Sequence, residues 1–176
     1  TLSFVRRDPI MKELKIRRAQ PGDEAALAHI QSQSWQQAFA PILSPEELAG
    51  HTDAARIQDM YRAVLFRPEL HIAIGSADDN PCCLAAWGPF RGANAPQTAE
   101  LICIHCLPTL WRQGYGSGMM AHVLSEMKEA GFSNAALWVF EANTRARRFY
   151  EKLGFTPTGD RKADYSAPEM LYTKGL

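Results

Sequence analysis

From Glu13 to Arg18 apolar and charged residues alternate, the two-residue period of a half-buried strand. Behind Pro21-Gly22-Asp23 the period lengthens. Ala26, Leu27, Ile30, Ser34 and Trp35 recur at near-helical spacing until Ala40-Pro41 ends the run. A second helical region starts at Pro45 and continues through Ile57, Met60, Tyr61, Val64 and Leu65 to Arg67. Two short apolar runs follow, Leu70–Ile74 and Cys82–Trp87, separated by the Asp- and Asn-rich residues 77–81. They predict two strands joined by a turn, with a Gly/Pro/Asn loop at Gly92–Gln97.

Thr98 to Leu107 predicts another strand, stopped by Pro108. From Gly114 to Ala130 a helix is expected, with Met119, Met120, Val123, Leu124 and Met127 on one stripe and Gly131 just past its end. Ala135–Phe140 reads as a buried strand. Asn143 then caps a helix through Ala146, Phe149 and Tyr150 to Leu153, closed by Gly154. Phe155–Thr158 and Met170–Thr173 predict two closing strands. The resulting order, β-α-α-β-β-β-α-β-α-β-β, is that of an α/β domain with a mixed sheet and helices on both faces.

Between the strand ending at Leu107 and the helix after it lies Trp111-Arg-Gln-Gly-Tyr-Gly-Ser-Gly-Met-Met120, with glycines at 114, 116 and 118. A glycine turn lets backbone N–H groups approach a ligand closely, and the first N–H groups of a helix lack partners and face the positive end of its dipole. Strand, glycine turn and helix N-terminus together suit a pyrophosphate. The spacing is not that of a dinucleotide fold, which needs G-x-G-x-x-G and a later acidic strand end, and no Gly-Lys-Ser/Thr tripeptide is present for a P-loop.

Composition changes this picture little. The 176 residues suit one domain, and 19 basic against 19 acidic residues give no bulk attraction to nucleic acid or an anionic membrane. No apolar run nears the ~20 residues that span a bilayer. Met11 is read as the natural start, making 1–10 an upstream segment ahead of a single domain over 11–176. The four cysteines are Cys82-Cys83 and Cys103-x-x-Cys106. Residues three apart on a strand point to opposite faces, so Cys103 and Cys106 do not chelate one ion or form an unstrained disulfide. No metal site is expected, and the chain reads as reduced and cytoplasmic.

Two motifs carry a resemblance. Gln113-x-x-Gly116-x-Gly118, preceded by Arg112, is similar to the acyl-CoA pyrophosphate loop of the GNAT superfamily, the acetyl-CoA-dependent N-acetyltransferases. Glu141-Ala-Asn143-x-x-Ala146-x-x-Phe149-Tyr150-Glu-Lys-Leu153-Gly154-Phe155 resembles that family's segment after its fifth strand. The resemblance implies a mixed, mostly antiparallel sheet of about seven strands whose fourth and fifth strands splay apart. It implies acetyl-CoA as co-substrate, with pantetheine along Ile104, Cys106 and Leu107 and pyrophosphate on Arg112, Gln113, Gly114, Tyr115, Gly116, Ser117 and Gly118. Asn143 has two candidate jobs, helix cap and contact to the pantetheine arm.

By the same resemblance the Tyr150 hydroxyl lies near the thioester sulfur. A phenol can protonate the leaving CoA thiolate, whereas unaided a tyrosine in an amphipathic helix reads as core. The amine must lose a proton before it attacks, and Glu100 and His105 are the candidate bases. Strict alternation sends these two side chains to opposite faces. The expected reaction is direct acetyl transfer in a ternary complex to a primary amine of a small molecule or peptide. A non-catalytic acyl-CoA sensor or scaffold and a transferase of a longer acyl group are the alternatives. Dimers are frequent in the family. The acceptor pocket is expected near the first two helices and the loops at Ala93 and Asp164. Trp35, Phe39, Tyr61, Trp87 and Phe90 are candidates to line it or to pack in the core.

Overall fold

Seven strands, β1 (Leu14–Arg18), β2 (His71–Ala77), β3 (Asn80–Pro89), β4 (Thr98–Cys106), β5 (Asn134–Phe140), β6 (Thr156–Lys162) and β7 (Glu169–Gly175), form one sheet ordered β1-β2-β3-β4-β5-β7-β6. The computed structural model describes residues 12–92 and 94–176; Met11, the expected upstream segment and Ala93 lie outside these. Every neighbouring pair is antiparallel except β4 with β5. Helices α1 (Glu24–Phe39), α2 (Pro45–Thr52) and α3 (Ala54–Val64) precede β2, while α4 (Tyr115–Glu129) and α5 (Thr144–Lys152) flank β5 in the chain. The expected mixed α/β sheet is present.

One helix is more than expected. The single helical stretch from Pro45 is broken at Asp53, whose backbone is extended (φ −66°, ψ 107°) and whose carboxylate accepts the Arg56 N–H at 3.1 Å. Asp favours this capping geometry over helix interior, so it ends α2 and starts α3. Ser44 caps α2 with a reciprocal Ser44–Glu47 capping box. Asp23 stands at the N-cap of α1 but makes no cap, because Arg17 takes both of its carboxylate oxygens at 2.7 and 2.8 Å. The β2–β3 hairpin turns on Asp78 and Asp79, both at positive φ (50° and 62°), which is the two-residue turn that matches strand twist.

Two cores cover the sheet's faces. On one, α4 and α5 bury Met119, Met120, Val123, Met127 and Tyr150 against Leu101, Leu137 and Tyr172. On the other, Leu27 and Ile30 of α1 and Ile57 and Tyr61 of α3 pack on Ile72, Ile74 and Leu84. Gly75 of β2 allows one of the closest approaches: a Cβ there would lie 2.5 Å from Cys83 Sγ and 3.0 Å from Leu14 Cδ1. Gly75→Ala should therefore destabilise the fold by about 1–3 kcal/mol through overpacking, read as a lower urea midpoint. Pairing it with Cys83→Ala should return part of the loss.

β4 contains an irregularity with consequences for the site. Ala86 pairs with Cys103 but Trp87 pairs with Leu101, so Ile102 is an extra residue, a β-bulge. Ile102 and Cys103, though adjacent, both pack on the α1–α3 core, whereas Leu101 and Ile104 pack on the α4 side. The bulge reverses the alternation. Glu100 and His105 consequently share the α1-facing side, and the expectation of opposite faces does not hold. No bulge separates Cys103 from Cys106, and these do point to opposite faces, with all four cysteines free.

Candidate active site

β4 and β5 pair only from Thr98↔Asn134 to Leu101↔Leu137, and beyond Leu101 the strands part. The gap opens into a cavity of about 170 Å³, lined among others by Ser34, Trp35 and Phe39 of α1, Ile102–His105, Trp138–Phe140, Asn143, Arg145, Tyr150, Tyr165 and Glu169. A shallower depression of about 350 Å³ between Pro89 and Thr98 has, among the described residues, no titratable lining residue, which leaves the splay as the candidate site.

The splay leaves one β4 edge unpaired. Leu107 N–H donates to Cys82 O at 2.9 Å, so Leu107 faces β3. In an antiparallel ladder successive residues alternate in which neighbour they bond, which turns the amides of Cys106 and Ile104 toward the gap. Trp111 Nε1–H donates to Cys106 O at 3.0 Å. The groups left for an extended ligand on this edge are thus Ile104 N–H and C=O and Cys106 N–H. Leu107, expected among them, directs its N–H the other way.

At the head of α4 the chain bends through two left-handed residues, Arg112 (φ 64°) and Gly114 (φ 88°). Gly114 adopts this freely; for Arg112 it costs on the order of 1 kcal/mol. No side chain caps α4, and the first of its helical bonds is Gly118 N–H to Gly114 O at 3.0 Å. The N–H groups of Tyr115, Gly116 and Ser117 therefore form an open donor set at a helix dipole's positive end. The Tyr115 ring is buried in the core, so its contribution is its backbone. Gln113 Nε2 donates to Thr109 O at 3.1 Å, bracing the turn. Gly118 also serves packing, since a Cβ there would meet Leu14 Cδ2 at 3.0 Å. Arg145 stacks 3.6 Å above the Trp111 ring and, with Arg112, adds positive charge beside the loop. Nothing periodic marks Arg145; its position two residues after the Asn143 cap was the available signal.

Asn143 Oδ1 accepts Ala146 N–H at 3.2 Å, so the cap is real and its Nδ2 remains for the cavity. Tyr150 is buried, and burial pushes its phenol well above the ordinary value while Arg145 opposes that rise. Its hydroxyl is a protonated acid at neutral pH. Among the described residues it makes no side-chain hydrogen bond.

The two candidate bases are held differently. Both oxygens of Glu100 are engaged by Arg91, through Nη2 at 2.6 Å and through Nε and the backbone N–H at 3.1 Å each. Glu100 does not line the cavity that Tyr150 lines. His105 does, with Ser34 Oγ 3.2 Å from Nδ1 and the Trp35 indole N–H donating to Nε2 at 3.3 Å. An indole N–H can only donate, so Nε2 accepts and the proton sits on Nδ1. Burial lowers the His105 pKa to about 4. An unfolded chain protonates this histidine near pH 6.5 while the folded one does not. Stability is thus lost as pH falls from 6.5 toward 4, by up to about 3 kcal/mol. Urea midpoints at pH 7 and pH 4.5 should show this, and His105→Gln should shrink the difference.

Of the aromatic candidates, Trp35 and Phe39 reach the cavity, whereas Tyr61 and Trp87 are core residues and Phe90 lines the depression near Pro89. Among the described residues no cluster of His, Cys, Asp or Glu could hold a metal, and no helix is long and apolar enough to cross a membrane.

Comparison with known proteins bears on the family and the fold. The family described as Acetyltransferase (GNAT) matches residues 26–155. An uncharacterised N-acetyltransferase of Mycobacterium tuberculosis is 28% identical over 139 residues, 79% of this chain and 86% of that protein. PaiA N-acetyltransferase of Thermoplasma acidophilum, solved in complex with coenzyme A, superposes with a TM-score of 0.76 at 17% identity, covering 93% of this chain and 99% of that one. YncA of Salmonella typhimurium, solved with its cofactor acetyl-CoA, has a TM-score of 0.70 at 18% identity, covering 93% and 94%.

Proposed function

Since the chain belongs to the GNAT family of acetyltransferases, matched over residues 26–155, we propose that it moves an acetyl group from acetyl-CoA to a primary amine by direct attack in a ternary complex. The observation that carries this reading is the splay itself. Ile104 on its free edge lines the cavity together with Tyr150, and Cys106, two residues on, lies beside Gly116 at the head of α4. Pantetheine extends along Ile104 and Cys106 as an added strand, the pyrophosphate meets the open N–H groups of Tyr115, Gly116 and Ser117, while the Gly118 N–H, expected among them, is taken by Gly114 O, and Arg112 and Arg145 balance its charge. Asn143 Nδ2 donates to the pantetheine arm. The thioester carbonyl then faces the α1 side of the cavity, from which the amine arrives.

Attack by the neutral amine forms the C–N bond. As the C–S bond breaks, Tyr150 gives its proton to the CoA sulfur and the phenolate, steadied by Arg145, recovers one from the amide nitrogen. A domain that only held acyl-CoA would need no unpartnered phenol at the thioester, which favours turnover over the sensor reading. Titration calorimetry with acetyl-CoA and with CoA tests the donor half, and thiol release in the presence of amines tests transfer. Absence of binding to either nucleotide would refute the proposal.

A further inference from the structure

Glu169 opens β7 opposite Phe140 of β5 and Lys162 of β6, on the α1-facing side, and it lines the same cavity as Tyr150. The residue is only 8% exposed. Its Oε2 is buried and, among the described residues, has no hydrogen-bond partner. Lys162 Nζ is 3.5 Å from Oε2, an ion-pair contact without a hydrogen bond, and lies closer to Asp164, at 2.8 Å. A buried carboxylate oxygen with no donor is costly unless a ligand supplies one.

Glu100 is bound by Arg91, Lys162 is shared between Asp164 and Glu169, and Arg145 on the cavity wall stacks on Trp111, so among the described residues no hydrogen-bond donor reaches Glu169 Oε2. Beside it runs an aromatic wall. Trp35 meets Phe39 edge-on at 4.8 Å, Phe39 meets Phe140 at 5.1 Å, and Phe140 meets Tyr165 at 5.3 Å. A carboxylate at the end of an aromatic wall suits a cation on a flat apolar body.

Size is limited as well. The β6–β7 loop is strapped to α2: Glu47 Oε1 accepts the Ser166 N–H at 2.8 Å, and the Ser166 hydroxyl donates to Glu47 Oε2. Leu43, Phe140 and Ala167 pack beneath the strap. The strap holds the loop that carries Tyr165, and the cavity of about 170 Å³ that Tyr165 lines accepts a small body.

We infer that Glu169 binds the ammonium of a small arylalkylamine acceptor and takes its proton, an assignment that rests on the acetyltransferase reading above. The ammonium gives one proton to the Glu169 carboxylate. The freed amine attacks the thioester carbon, C–S cleavage releases CoA thiol with the Tyr150 proton, and the second nitrogen proton returns to the phenolate. Glu169 then releases its proton to solvent. Burial holds the Glu169 carboxyl above the usual carboxylate range, which brings it nearer to an ammonium as a proton acceptor. Its signal in the sequence was a lone acid immediately ahead of the apolar run Met170-Leu171-Tyr172.

Phenethylamine and phenylalanine are the probes, tested on wild type and Glu169→Gln with thiol release as readout and CoA titration as the control for folding. Wild type should acetylate phenethylamine with kcat/KM at least tenfold above phenylalanine, whose carboxylate would face Glu169. Glu169→Gln should lower kcat/KM for phenethylamine at least thirtyfold while CoA affinity stays within twofold of wild type. A protein that binds acetyl-CoA but prefers phenylalanine, or acetylates neither probe, overturns the inference. So does a smaller loss in Glu169→Gln. The substrate comparison needs no variant and stands if Glu169→Gln fails to fold. Failure of wild type to bind acetyl-CoA would refute the donor reading instead, and this inference with it.

Discussion

Tyr150→Phe should lower kcat about a hundredfold to ten-thousandfold while leaving acetyl-CoA affinity near wild type, the range for removing a positioned general acid. The split follows from where the hydroxyl stands. The Tyr150 ring packs in the α4–α5 core beside Phe149 and Phe155, with centroids at 5.4 and 6.0 Å, and phenylalanine keeps those contacts. The hydroxyl makes no side-chain bond among the described residues, so its loss leaves no orphaned partner. Stability should therefore barely change, and the defect should fall on the step that expels the thiolate. Stopped-time thiol release with saturating acetyl-CoA measures it. A kcat within threefold of wild type would remove Tyr150 from the chemistry.

Gly116→Trp should weaken CoA binding at least a hundredfold, measured by calorimetry, without unfolding the protein. A Cβ at Gly116 would meet Phe149 at 3.5 Å and Cys106 Sγ at 3.8 Å, ordinary van der Waals distances, so the helix tolerates a side chain. What an indole there would occupy is the approach to the open N–H groups of α4. Gly118 is a poorer choice for this test, because a Cβ 3.0 Å from Leu14 would mix packing strain with ligand loss. An unchanged melting temperature together with retained CoA affinity would show that the glycines serve the turn alone.

The elements legible in the chain were those where period and punctuation coincide. Gly114, Gly131 and Gly154 border α4 and α5 as the spacing predicts, and Asn143 caps α5 through its own carbonyl. The donor half of the site was legible for the same reason, being built from consecutive residues at a strand–helix junction. The acceptor half was not. Glu47 meets Ser166, and Glu169 joins Trp35 and Phe39, only because distant segments converge. Such pairs leave no periodic trace. Asp53 was missed because the apolar period runs on across it, although its capping chemistry outweighs that period locally. The relation of Glu100 to His105 was misjudged because alternation assumes a regular ladder, and one unpaired residue defeats it.

That residue, Ile102, acts on β4 as a phase shift acts on a wave. The strand's first half is in step with β5, and its second half is half a cycle out, with no break in its pairing to β3. Removing Ile102 would restore a single phase over the whole strand. Ala86–Cys103 and Trp87–Leu101 would become consecutive pairs, and Cys103, Ile104 and His105 would keep the faces they have. An extra residue placed between Ile104 and His105 would instead turn His105 toward the CoA side. The strand therefore tolerates loss of length at the bulge and not a change of length beyond it.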